Sequence, residues 1–115
     1  MQVVQFAANH ATPIELFETV NASAVSVGQG SGEVRVSALH FAAGGCIGPH
    51  PTGYAQLFLV VQGSGWAAGA DGHRVPLRAG EGAWFPRGEL HSKGSAEGMF
   101  VITVQASEMQ PTTSG

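Results

Sequence analysis

The sequence has little charge, almost no cysteine and no long apolar run. Charged residues make up 11% of its 115 residues, against roughly 25% in an average globular domain. The net charge is −3, with acids and bases scattered. No basic stripe of the kind that tracks a phosphate backbone exists, so no nucleic-acid partner is expected. So thin a charge predicts that part of the exterior is covered by another subunit, and a homodimer is expected. Cys46 is the only cysteine, which rules out an intrachain disulfide. No apolar stretch approaches the ~18 residues a membrane helix needs. The opening MQVVQFAANH holds neither Lys nor Arg, which speaks against a signal peptide. The expectation is a cytoplasmic protein with no membrane partner.

Glycine, by contrast, is abundant, at 17 residues, about twice its usual share of ~7%. The glycines punctuate short apolar runs, and many short strands joined by glycine turns predict an all-β sandwich or barrel. Strands are expected at VVQF (3–6), TPIELF (12–17, where a short capped helix also fits), SAVSV (23–27), EVRVSALHF (33–41), QLFLVV (56–61) and MFVITVQ (99–105). GQGSG (28–32) reads as a loop and GSG (63–65) as a break before WAAGA. QLFLVV is apolar on both faces and so should be covered on both. Asp71-Gly72 predicts a type I′ hairpin between WAAGA and HRVPL, and AWF (83–85) leads into the turn PRGELH. One domain over residues 1–110 is expected, with 111–115 a frayed tail.

Two segments carry the chemistry. The first runs Gly44, five residues, His50, one, Thr52, three, Gln56, six, Gly63; the second runs Gly80, five residues, Pro86, one, Gly88, two, His91, three, Ser95. These spacings resemble the two motifs of the cupin superfamily, G-x5-H-x-H-x3-4-E-x6-G and G-x5-P-x-G-x2-H-x3-N. The resemblance covers residues 44 to 95 and implies a single cupin barrel, a double-stranded β-helix of jelly-roll type. It further implies a divalent metal, such as zinc, nickel, iron, manganese or copper, held by three histidines and a glutamate. Carried over by position, His50 and His91 match histidine ligands. Gln56 stands at the glutamate, Thr52 at the second histidine, and Ser95 at a structural asparagine. The candidate metal ligands are therefore His50, Gln56 and His91.

A neutral amide offsets none of a metal's charge and a threonine hydroxyl is a weak ligand. A second reading therefore stands beside the first, in which the same groups hydrogen-bond one another in a metal-free polar cavity. Thr52, Tyr54, His40, Phe58 and Phe85 are expected to line that cavity, with Tyr54 offering its hydroxyl at the mouth. Cys46 is expected to be an inert small side chain, and Glu97 is the one nearby carboxylate in a hairpin loop. Two functions compete: a metal-dependent enzyme of dioxygenase, isomerase or lyase type, and a non-catalytic binder of a small molecule.

Overall fold

A long strand that changes sheets organises the molecule. The computed structural model describes residues 1–112. Its strands are β1 (Gln2–Gln5), β2 (Thr12–Pro13), β3 (Ser23–Ala24), β4 (Gly28–Phe41), β5 (Cys46–Pro51), β6 (Ala55–Ala68), β7 (Arg74–Arg78), β8 (Glu81–Phe85), β9 (Leu90–Gly94) and β10 (Met99–Pro111), with one 3-10 turn at Ala8–His10. The first half of β6 lies between β8 and β10, in the order β1-β8-β6-β10-β4. Its second half, from Ser64, pairs with β7 and β9 instead, and β9 carries β5. All pairings are antiparallel. The all-β cupin-type architecture expected from the motifs is the one observed.

The break expected at GSG is absent. Gly63 takes φ +79, a left-handed value that only glycine adopts freely. A side chain there would press into the carbonyl of Gly98. The backbone therefore bends without leaving the ladder, and the strand passes into the second sheet. The loop expected at 28–32 is also strand, because β10 is long enough to pair with it. The register runs on through Met109↔Gly30 to Pro111↔Gly28, past a bulge between Ala106 and Glu108. Pro111 thus belongs to the last strand rather than to a frayed tail, and 113–115 lie outside the described residues.

TPIELF and SAVSV shrink to two-residue strands. Phe17, Glu18 and Asn21 have positive φ, so the segment coils between β2 and β3 instead of extending. The Asp71-Gly72 hairpin forms with another turn. Only Gly72 has positive φ, its N–H closes on the Gly69 carbonyl at 3.0 Å, and the Asp71 carboxylate accepts the His73 N–H at 2.9 Å.

β6 is covered on both faces, as its composition required. Phe58 and Val60 point into one cluster with Phe41, Ala67, Leu77, Ala83, Phe85, Met99 and Val101. Ala55 and Leu57 point the other way, into a second cluster with Val4, Ala106 and Met109. Complete burial of a side chain such as Phe58 is worth about 1.5–3 kcal/mol. Gln56 shares the face of Phe58, so a polar amide is delivered to the rim of the apolar core.

Candidate functional site

The site forms where β5, β6, β8 and β9 meet. β9 places His91 opposite His50 of β5, and β6 places Gln56 opposite Phe85 of β8. The two imidazoles stand 4.5 Å apart between centroids, with Nε2 to Nε2 at 3.1 Å. His50 is exposed and His91 is buried. Phe85 meets the His91 ring edge-to-face at 4.6 Å. His50, Gln56, His91, Phe58 and Phe85 are thus gathered as expected.

The residue that sequence reasoning missed is Lys93. It lies two positions beyond His91 on β9, is only 2% exposed, and is the only lysine in the chain. Its ammonium group donates to Gln56 Oε1 at 2.7 Å and sits 3.4 Å from His91 Nε2. The Phe58 and Phe85 rings each lie 5.2 Å from its Nζ. The spacing 91/93 already put both side chains on one strand face. A lysine on a strand, however, ordinarily points to water.

Other expected lining residues point elsewhere. The Thr52 hydroxyl donates to the Tyr54 carbonyl at 2.6 Å and accepts the Gly88 N–H at 3.2 Å, which latches the Pro86–Gly88 turn. The Tyr54 hydroxyl is taken by Glu33 Oε2 at 2.9 Å; that bond, with Arg35 alongside, holds the Glu33 carboxyl below its usual range. His40 is exposed and stacks on Phe100 at 4.9 Å, away from the cluster. Cys46 and Glu97 are exposed. Ser95 is structural as expected, bonding the Ser64 carbonyl and the Gly98 N–H at 2.6 and 2.7 Å.

The tautomers follow from the partners. His50 Nδ1 lies 2.8 Å from the Gly48 carbonyl, which only accepts, so Nδ1 carries the proton. With both rings neutral, His50 Nε2 is then an acceptor and His91 Nε2–H donates to it. His91 Nδ1 is left buried with no hydrogen-bond partner.

A family model, the AraC-like ligand-binding domain, matches residues 32–114. The chain belongs to that family. Its fold is that of solved structures described as cupins. An RmlC-like cupin from Shewanella frigidimarina superposes with a TM-score of 0.61 at 21% identity, covering 65% of this chain and 67% of that one. A cupin superfamily protein from Desulfitobacterium hafniense gives 0.60 at 17%, covering 83% and 90%. A Cupin 2 conserved barrel domain protein from Salinispora arenicola gives 0.58 at 22%, covering 84% and 73%. At these identities the likeness is one of fold. No curated protein matches the chain.

The donor set of this AraC-like domain does not fit the divalent metal that the cupin resemblance implies. Lys93 Nζ lies against Gln56 Oε1 and His91 Nε2, and among the described residues no carboxylate bonds these groups to offset a metal's charge. Among the described residues no three His, Cys, Asp or Glu side chains are grouped as a metal centre would need. Burial also works against charge on the protein's own groups. It pushes the Lys93 amine down to about 7. His91 is pushed down to about 3, chiefly by burial, with the Lys93 and His50 charges adding to it.

Two depressions lie away from the cluster. An open groove of about 700 Å³ runs past Gly30, Ala55, Trp84, Arg87 and Met109, and a depression of about 470 Å³ includes His40 and Phe100. Neither is lined by His50, Gln56, His91 or Lys93.

No helix among the described residues is long and apolar enough to cross a membrane.

Proposed function

We propose that this chain is a metal-free receptor for a small molecule, with His50, Gln56, His91 and Lys93 as the ligand-contacting groups. One observation carries the reading: the cation among the converging donors is the protein's own Lys93, bonded to Gln56. A site with its own cation has hydrogen-bond donors and acceptors to orient a ligand and a pair of phenylalanine faces to pack it. The competing reading, a metal-dependent dioxygenase, isomerase or lyase, is less well supported, because Gln56 replaces the carboxylate ligand and Lys93 Nζ lies against Gln56 Oε1 and His91 Nε2.

The test is elemental analysis of tag-free protein after incubation with zinc, nickel, iron, manganese or copper and desalting. The expected content is far below one metal per chain. Lys93→Ala, which uncovers the two imidazoles and the amide, is expected to gain zinc or nickel. A stoichiometric metal in the unaltered protein would overturn the reading.

We also propose that two copies associate. Among the described residues β4 is an edge strand paired only with β10, and it leaves Val34 and Val36 55% and 65% exposed. The coil between β2 and β3 holds Leu16, Phe17 and Val20 out in solvent. An unpaired edge with apolar side chains is a template for a second chain. Light scattering at micromolar concentration should give the mass of two chains, and Val36→Lys should halve it; a monomer mass for the unaltered protein contradicts the proposal.

A further inference from the structure

We propose that Lys93 captures carbonyl compounds, forming an imine with a small aldehyde or 2-oxo acid held among His50, Gln56, Phe58, Phe85 and His91. The proposal rests on the receptor reading above and names the ligand's chemical class.

Four features converge on it. Lys93 is the sole lysine of the sequence, and its side chain is spent in the interior rather than on solubility. Its polar neighbours are neutral: an amide oxygen at 2.7 Å and an imidazole nitrogen at 3.4 Å. Among the described residues no carboxylate bonds it or forms an ion pair with it, whereas buried lysines kept for structure are ordinarily paired with one. Finally, the amine is held by a strand, one hydrogen bond and two aromatic faces. A desolvated amine in an apolar surround is the form of lysine that attacks carbonyl carbon.

The condensation needs no reactant beyond the amine and the carbonyl compound. With His91 Nε2 protonated, one ring edge faces both Nζ and His50 Nε2, and His50 reaches solvent. The Nζ lone pair forms a bond to the carbonyl carbon while the C=O π pair moves onto oxygen. That oxygen takes the proton that nitrogen gives up, leaving a carbinolamine. The C–O bond then breaks, the oxygen departs as water with a second proton from nitrogen, and C=N forms. Amine plus carbonyl becomes imine plus water, with no oxidant or reductant. His91 and His50 act here as positioning groups, and Lys93 is the reacting one. Because the amine is almost wholly buried, only compounds of a few heavy atoms are expected to reach it, from the side of the exposed His50 ring.

The composition makes the test clean. The chain has two amines, Lys93 and the N-terminus, and the latter is tied to both Glu89 oxygens at 2.8 and 2.9 Å. Full-length, tag-free protein would be incubated with glyoxylate or pyruvate and sodium cyanoborohydride, then read by intact mass and peptide mapping. One reduced adduct per chain is expected, on Lys93, with Lys93→Arg losing it. Adducts confined to Met1 in folded protein overturn the proposal without recourse to any variant. The same probes without reductant would be followed through the imidazole resonances of His50 and His91. Shifted resonances with no trapped adduct sink the imine and leave the receptor standing. Unmoved resonances with no adduct sink the imine and remove small carbonyls from the receptor's ligands.

Discussion

Phe85→Ala is expected to destabilise the fold by about 3–5 kcal/mol, the cost of emptying a fully buried aromatic position. Phe85 is 0% exposed, belongs to the larger core cluster, and meets His91 edge-to-face at 4.6 Å. It is also one of the two rings flanking Lys93. The substitution therefore does two things. It removes packing from the core, and it opens a space beside the amine that water can enter. Chemical denaturation measures the first. The second should appear as a Lys93 amine returning toward the ordinary lysine range, read by NMR of the labelled side chain. Phe17→Ala is the control, since Phe17 is 89% exposed and an exposed truncation changes stability by about 0.5 kcal/mol or less. A Phe85→Ala protein as stable as that control would mean that the ring is not where the fold places it.

Stability should climb with pH over an unusually wide range. Lys93 is depressed to about 7 in the folded protein, from an ordinary 10.5. Between those values the unfolded chain holds a proton that the folded chain has released, so unfolding becomes less favourable as pH rises. The contribution is complete above 10.5 and gone below about 7. His91, depressed to about 3 from 6.5, acts in the same direction lower down: its contribution is complete above 6.5 and is lost by about 3. Where one proton separates the two states the slope approaches about 1.4 kcal/mol per pH unit. Urea midpoints measured from pH 5 to 10 should therefore rise, and Lys93→Met should flatten the alkaline limb while raising stability near pH 6. A midpoint that does not change between pH 7.5 and 10, or the same slope in Lys93→Met, contradicts the buried amine.

The fold and half of the site were legible because they depend on spacing. Gly44 to Gly63 and Gly80 to Ser95 set the distances between turns and strands, and those distances put His50, Gln56 and His91 in one place. Where reading failed, long-range structure had overruled a local signal. Gly63-Ser64-Gly65 looks like a turn in one dimension, yet β10 and β7 hold it as a bent strand. Gly28 to Gly32 looks like a loop, yet β10 supplies it with a partner. Thr52 and Tyr54 have the right parity to face inward, but the Gly88 N–H and the Glu33 carboxylate claim their hydroxyls first. Lys93 escaped for a different reason. Its position was readable, but burying an ammonium is so costly that no pattern rule places one in a core. Only the three-dimensional arrangement reveals that Gln56, at the glutamate's position, has a lysine for company.

The location of that lysine has a practical corollary. Reagents such as succinimidyl esters find no side-chain amine on the exterior of this molecule. Their rate of reaction at position 93 is accordingly a clock for breathing of the interior, and conditions that loosen β9 from β5 and β6 will be registered as label acquired.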